Sequence, residues 1–378
     1  MKVLQLAARM LSLERFALPL MQRLRDDGFD VEALGQFDGT ERCMREEGFP
    51  VHDWDAGHSF NPLRVLGARR RLARFLRDRK FDIVHSHCSF GGIVGNPTAH
   101  RYAPHLIYTQ HGFYVHEGLN PLLRSAWLRL ESIGLRPADH VICVSLAEQQ
   151  LARTLRVGPP EKFVRVPGAG IELAKFQFSA EDRTKRRRAV RDELGLSDDE
   201  IVLLTVSRLT RDKGYTEMIE ATRVLRDNGH QFILLAAGSG KDEAAIKRDI
   251  QRAGVEDIFR LLGWRDDVRD LYCAADIFVF ASHREGLPIS PIEAMASGVP
   301  VVLSDLPGCR EEVEGGVSGL IFRTGDRQEL AACLSKLINE PERRAELGRA
   351  AREQAASFDI HRVLDRQAEL YREIAASR

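Results

Sequence analysis

Short apolar runs alternate with longer amphipathic stretches along nearly the whole chain. In the first half, Lys2–Leu6, Asp30–Leu34, Ile83–His87, Leu106–Thr109, His140–Val144 and Val164–Val166 read as strands. Between them Glu14–Asp27, Pro62–Arg79 and Pro121–Arg136 carry helical spacing. The turn-rich PGAG at Pro167–Gly170 interrupts the rhythm, and a charged helix ending near Gly195 follows. A second series then begins. Ile201–Val206, Gln231–Ala236, Phe259–Leu262, Ile277–Phe280 and Val301–Leu303 read as strands. Helices are expected near Lys213–Asn228, Lys241–Ala253 and Pro291–Ser297, and three more close the chain, Gln328–Asn339, Pro341–Ala355 and Asp359–Ala375. Strands alternating with helices predict βαβ units and parallel sheets. The pattern implies an α/β chain of two Rossmann-like domains, with a boundary between about Pro167 and Glu200.

Composition narrows the class. Lys plus Arg and Asp plus Glu are 55 each, so the net charge is zero, which argues against a general nucleic-acid binder. The six cysteines are scattered with no CxxC pair, which reads as reduced thiols in a cytoplasmic protein. No apolar run approaches the roughly 18 residues of a membrane span. The Pro62–Lys80 stretch is rich in arginine, with Val65, Ala68, Leu72, Phe75 and Leu76 forming its apolar stripe. Its basic side chains suit either a solvated face or peripheral contact with an anionic bilayer.

Candidate chemistry collects where strands end. Arg284–Val302, REGLPISPIEAMASGVPVV, runs from the end of a buried strand through a tight Gly-Leu-Pro loop into a helix. It carries Glu285 and Glu293. In an open parallel sheet such a junction lies at the carboxyl edge, where ligands bind. Two readings stand for the glutamates: a catalytic carboxylate pair, or acceptors for sugar and ribose hydroxyls. Helical spacing favours the second, because Glu293 lies a turn or more into the helix. Ser207–Gly214, SRLTRDKG, leads from a strand into a helix and aims Arg208 and Lys213 at a helix start. Two cations beside a positive helix end suit a diphosphate. Gly238-Ser239-Gly240 allows close backbone approach but is no phosphate-loop signature. His111 follows a strand in Thr109-Gln110-His111-Gly112, with His116 and Glu117 just beyond. His85 and His87 share one strand face, without a third metal ligand at suitable spacing.

These segments resemble the retaining GT-B glycosyltransferases of the large bacterial capsule, exopolysaccharide and lipopolysaccharide family, the 4-like and group 1 transferases. The resemblance spans nearly the whole chain. It rests on the Glu285–Glu293 segment with AMASGVPVV, on SRLTRDKG, on GWRDDVRDLYCAADIFVFAS and DLPGCREEVEGGVSGLIF, and on DIVHSHCSFGGIVG and YTQHGFYVHEG in the first half. It implies two Rossmann-like domains facing a cleft. Residues 1–170 would take the acceptor, residues 171–356 the nucleotide-sugar donor, and a helix at about 357–378 would cross back to the first domain.

The resemblance also implies roles. Arg208 and Lys213 would hold the donor diphosphate and Glu293 the ribose. Glu285, with Gly286, Leu287 and Pro288, would meet the donor sugar and phosphate, and Gly238 would allow the donor's close approach. Gly263, Trp264 and Arg265 would shape the base pocket. His111 would touch the transferred sugar. Arg15, His116 and Glu117 would line the acceptor side. No cofactor or metal is implied, and no Asp-x-Asp triplet is expected at the end of a strand. The implied partners are a nucleotide sugar, UDP-linked, and a saccharide, lipid-linked or small-molecule acceptor, with the protein cytoplasmic and in peripheral contact with the inner face of the membrane. The family's glycine-rich loop after the first strand is missing: Ala7–Phe16 contains no glycine. Two other functions share this architecture, a UDP-sugar epimerase and a non-catalytic nucleotide-sugar-binding relative.

Overall fold

The computed structural model describes residues 1–56, 60–112, 120–168 and 170–377. They form two compact units: residues 1–169 with 361–378, and residues 170–360. Each is built on one parallel sheet.

The first unit's sheet has seven strands: β1 (Lys2–Arg9), β2 (Asp30–Gln36), β3 (Val51–Asp53), β4 (Ile83–His87), β5 (His105–Gln110), β6 (His140–Cys143) and β7 (Phe163–Arg165). Their spatial order is β3-β2-β1-β4-β5-β6-β7. The second unit has six: β8 (Val202–Val206), β9 (Ile233–Ala237), β10 (Phe259–Gly263), β11 (Ile277–Phe280), β12 (Val301–Ser304) and β13 (Leu320–Phe322), ordered β10-β9-β8-β11-β12-β13. The central strands are largely buried, as strands covered by helices on both faces must be, and mostly apolar, with Gln5, His85, Ser86 and His87 among the buried polar exceptions. In both sheets the winding reverses once, between β1 and β4 and between β8 and β11. The strand ends beside a reversal are the natural ligand edge.

Local sequence explains most elements. The Pro62–Arg79 helix starts at Asn61, whose side chain accepts the Leu63 and Arg64 amides at 3.0 and 3.4 Å, with Pro62 in the first turn. Ala68, Leu72 and Leu76, four apart, are its buried row. The expected single helix Glu14–Asp27 is instead two, Met10–Phe16 and Leu18–Asp26. Pro19 has no amide proton to continue the first, so it opens the second. The expected glycine-free loop at Ala7–Phe16 is not a loop either. β1 runs to Arg9 and the helix begins at Met10. The close approach is arranged by neighbours: a Cβ on Gly35 of β2 would lie 3.2 Å from Ala7 O and Met10 N.

A helix that periodicity did not announce, Cys88–Ala99, follows β4 directly and is almost wholly buried. Its Gly91, Gly92, Gly95 and Pro97 read locally as turn residues. Packing overrides that preference. A Cβ on Gly92 would sit 2.5 Å from the Tyr108 ring, and one on Gly134 of the Pro121–Leu135 helix 2.9 Å from Gly92 C. Glycine here is the condition for two helices and a tyrosine to share one space.

The closing helix, Ile360–Ala376, belongs to the first unit. Its Val363, Leu370, Tyr371 and Ile374 join Val3, Met21 and Phe29 in one buried cluster, and Asp365 pairs with Arg23 at 2.7 Å. Among the described residues no helix is long and apolar enough to cross a membrane.

In the second unit Arg191, on the Ala180–Leu194 helix, is fully buried. Its guanidinium donates to the carbonyls of Ser197, Asp198, Glu200 and Ala274 and to Asp276 Oδ2 at 2.6–3.2 Å. Asp276 also accepts the Val202 amide at 2.9 Å, so this one side chain ties the helix to the starts of β8 and β11. Arg191→Met should destabilise this unit by about 3–5 kcal/mol, the range for breaking a buried pair. Urea unfolding measures it; a change below about 1 kcal/mol would refute the tie.

Candidate active site

The second unit holds a cluster built from four strand-end loops. Ser207–Gly214 follows β8. Gly238–Gly240 follows β9, and its Gly238 amide donates to Gly263 O at 2.8 Å. The Ala281–Pro288 loop follows β11, and Asp305–Leu306 follows β12. Glycines let these loops touch backbone to backbone. A Cβ on Gly214, at φ +73°, would fall 1.9 Å from Ala281 O. A Cβ on Gly238, at φ +146°, would fall 1.9 Å from Ser207 O, and one on Gly308 2.2 Å from Gly286 O. A side chain at any of these would push two loops apart.

That interlock delivers Lys213 to Glu285. Lys213 Nζ pairs with Glu285 Oε1, both side chains only slightly exposed. Ser282 Oγ lies 2.9 Å from the same oxygen. The His283 amide donates to Asp212 O at 2.8 Å, which ties the two loops together beside the pair. Arg208 is different. It is 64% exposed, and Asp212 is a distant partner at 3.9 Å, so its guanidinium remains available to an incoming anion. The Tyr215–Asp227 helix starts at Gly214 and the Ile289–Ala296 helix at Pro288. Neither start is capped by the side chain of the preceding residue, though Glu217 in the first turn of the former accepts its own amide.

Glu293, in the second turn of the Ile289–Ala296 helix, does not share partners with Glu285. Tyr272 Oη lies 2.8 Å from its Oε2 and 3.2 Å from Ser290 O. Tyr272 donates its proton to the Glu293 carboxyl in the shorter of the two contacts. Burial raises the Glu293 carboxyl to about 7, with the Tyr272 hydrogen bond opposing that shift.

The other residues expected to meet the donor lie at the end of β10 and on the loops after β10 and β11. Gly263 stands at φ +70° with open space around it, and Trp264 is 62% exposed with its indole N–H on Asp266 at 2.8 Å. Arg265 is held by two carboxylates, Glu193 at 2.6 Å and Asp267 at 2.7 Å through Nε. Gly286 and Leu287 are half-buried and Pro288 is buried.

The first unit carries a separate polar cluster. His111 stacks on Phe16, centroids 4.3 Å apart, and its Nε2 meets His87 Nδ1 at 3.3 Å. Gln110 braces the following turn by donating to Gly112 O at 3.1 Å and Ser89 Oγ at 2.8 Å. Burial lowers the His111 imidazolium to about 4, so the ring is neutral near pH 7. Arg15, beside Phe16, is exposed. His116 and Glu117 lie outside the described residues.

The family described as glycosyl transferases group 1 matches residues 186–354, and the glycosyl transferase 4-like domain matches residues 13–169. The D-inositol 3-phosphate glycosyltransferase of Saccharomonospora viridis is 30% identical over 81% of this chain and 73% of its own. This chain is a group 1 glycosyltransferase. A Campylobacter jejuni relative, N,N'-diacetylbacillosaminyl-diphospho-undecaprenol alpha-1,3-N-acetylgalactosaminyltransferase, is 26% identical over 95% of both chains. The crystal structure of HepE from Anabaena in complex with UDP and glucose aligns with a TM-score of 0.83, at 23% identity, over 99% of this chain and all of that one. That likeness bears out the GT-B fold of two Rossmann-like units.

Two residues hydrogen-bonded to Glu285 and Glu293 escaped sequence reading. Ser282 was within reach, three positions before Glu285 on the same loop. Tyr272 was not, because only the packing of the Val268–Ala274 helix brings its hydroxyl to Glu293. One expectation is corrected. Asp53-Trp54-Asp55 is an Asp-x-Asp triplet at a strand end, since β3 closes at Asp53. Asp53 accepts the Phe37 amide at 3.0 Å and Asp55 pairs with Arg71 at 3.2 Å. Both carboxylates therefore have structural work. No group of three His, Cys, Asp or Glu among the described residues is placed to hold a metal, His85 and His87 included.

Glu293 gives a signed prediction. Its folded carboxyl titrates near 7, against 4.5 for an ordinary glutamate. The stabilisation is full below about 4.5 and is lost as pH rises through about 7. Relative to Glu293→Gln, the native protein should lose up to about 1.4 kcal/mol per pH unit across that window. Parallel unfolding curves for the two proteins at pH 5 and 7 would exclude the raised carboxyl.

Proposed function

We propose that this chain is a metal-independent, retaining transferase. It moves a hexose or N-acetylhexosamine from a UDP-sugar to a hydroxyl on a lipid-linked saccharide or small molecule. The observation that carries the reading is the Lys213–Glu285 pair beside exposed Arg208 and two uncapped helix starts. Oriented cations and amides suit the charge that grows on a departing diphosphate. The pairing with Glu285 takes one of the three N–H donors of Lys213 and leaves the other two for phosphate oxygens. The sugar–phosphate bond breaks, the acceptor oxygen bonds the same face of the anomeric carbon, and the acceptor proton passes to the departing phosphate. Glu285 and the Gly286–Pro288 backbone meet the sugar and phosphate. Glu293 accepts ribose hydroxyls, and Gly238, Gly263, Trp264 and Arg265 border the nucleotide. In the first unit His111 contacts the transferred sugar, while Arg15, His116 and Glu117 take the acceptor. UDP bound to HepE, and the undecaprenol-linked substrate named for the Campylobacter relative, support the donor and acceptor classes.

Incubation with a panel of UDP-sugars and lipid-linked acceptors tests the reading. Lys213→Ala and Arg208→Ala should each lower kcat by roughly 10²–10³-fold, the scale for losing one preorganised charge-stabilising group. Full activity in both variants would overturn it. Interconversion of free UDP-N-acetylhexosamines without acceptor would identify the epimerase instead, and donor binding without turnover the non-catalytic relative.

A membrane-bound acceptor fits a face of the first unit. Leu63 and Leu122 are 81% and 82% exposed at the starts of the Pro62–Arg79 and Pro121–Leu135 helices, with Phe60, Leu66 and Leu123 also exposed. The Phe60 ring lies 5.0 Å from Phe90 and 6.1 Å from Trp127, which joins the two helix starts. Arg64, Arg70 and Arg74 on the first of these helices and Arg124 and Arg129 on the second are exposed as well. Leucines amid arginines suit the headgroup region of an anionic bilayer at the cytoplasmic face. The protein should co-sediment with phosphatidylglycerol vesicles at low salt, and Leu63→Asp with Leu122→Asp should abolish this. Equal sedimentation of the variant would remove the membrane contact.

A further inference from the structure

Behind His111 the first unit buries an unbroken line of polar side chains. Gln5 comes from β1, His85 and His87 from β4, Thr109 from β5, and Tyr371 from the closing helix. All five are at most 2% exposed. Buried polar groups are costly unless each is satisfied, and here each is. Gln5 Nε2 donates to Tyr371 Oη at 3.0 Å, and Tyr371 Oη lies 2.6 Å from His85 Nδ1. His85 Nε2 reaches Thr109 Oγ1 at 2.6 Å. In the other direction Gln5 Oε1 lies 2.7 Å from His87 Nε2, and His87 Nδ1 lies 3.3 Å from His111 Nε2.

The line has a direction. Burial lowers the pKa of His85, to about 3, and that of His87, so each ring is neutral with one N–H and one lone pair. Gln5 Oε1 can only accept, so the His87 proton is on Nε2. His87 Nδ1 is then a lone pair, and His111 must donate to it from Nε2. On the Tyr371 side the hydroxyl accepts from Gln5 and donates to His85 Nδ1. His85 then donates from Nε2 to Thr109. Reversing the Gln5 amide would reverse every bond in the line.

We propose that Gln5, His87 and Tyr371 are positioning residues that hold His111 in its Nε2–H tautomer, so that Nδ1 presents a lone pair to a hydroxyl of the transferred sugar. His111 would then select a hydroxyl donor over a carbonyl at that position. Nδ1 has no partner among the described residues, and the Phe16 stack fixes the ring plane. Because Tyr371 stands on the closing helix, docking of that helix is coupled to the state of a ring near the substrate. The inference rests on the reading that His111 meets the donor sugar.

Nitrogen-15 NMR of histidine-labelled full-length protein reads the tautomer without activity. His111→Gln assigns the signal. The native ring should show a protonated Nε2 and a bare Nδ1, and His87→Phe should lose that preference. His87→Gln, whose amide oxygen takes the same proton, should keep it. If His87→Phe does not fold, Tyr371→Phe tests the same line, since loss of the hydroxyl frees the Gln5 amide to turn and part of the proton moves to His111 Nδ1. In turnover, His87→Phe and His111→Ala should each lower kcat roughly tenfold or more with little change in donor KM. The double variant should be no slower than the worse single. A proton on Nδ1 in the native protein, an unchanged tautomer in His87→Phe, or losses that multiply would overturn the proposal. Full activity of His111→Ala would instead sink the role of His111, while the tautomer measurement stands on its own.

Discussion

The parallel pairing of β8 with β11 is the constraint on which the second unit's chemistry depends. These strands are 70 residues apart in sequence but adjacent in the sheet, because the winding reverses between them. Their following loops leave the sheet toward opposite faces and meet above the same edge. Lys213 comes from one loop and Glu285 from the other. No local preference brings a lysine to a glutamate 72 positions away. The topology does, and the glycines at 214, 238 and 308 let the loop backbones come close enough to hold them there.

The same reversal recurs in the first unit with different chemistry. β1 and β4 are neighbours there, and β5 lies beside β4. Side chains at matching heights then stack across strands: Gln5 opposite His85, and His87 opposite Thr109. That register turns polar residues from separate strands into a hydrogen-bonded line. In one unit the strand edge yields a charged pair only slightly exposed to solvent. In the other it yields neutral rings buried away from water. The difference follows from the residues each edge supplies, Lys213 and Glu285 on one and His85 and His87 on the other.

Much of this was legible before the fold was known. Ile83–His87, Ile277–Phe280, Pro62–Arg79 and Pro341–Ala355 stand where hydrophobic pattern and capping residues put them. Glu285, Lys213 and His111 were recognisable because each lies just past a strand, where ligand-facing residues concentrate. The failures have physical causes. The Cys88–Ala99 helix was hidden because its glycines are bad helix formers in isolation and are required by the close contact with Tyr108 and Gly134. The loop after β1 looked deficient in glycine because the needed space is made by Gly35, on another strand. β3 was too short to register, and with it went the Asp53–Asp55 triplet.

The amino-acid sequence by itself determined the alternation of strand and helix, the two-unit division of the chain, and the family. Those depend on periodicity and on short motifs, which are local along the chain. Only the tertiary structure decided partnership: Lys213 with Glu285, Tyr272 with Glu293, and Tyr371 with Gln5 and His85. The reason is that burial and hydrogen bonding depend on what lies across space. A glutamate becomes hard to ionise, or a histidine acquires one tautomer, only when remote segments close around it and exclude water.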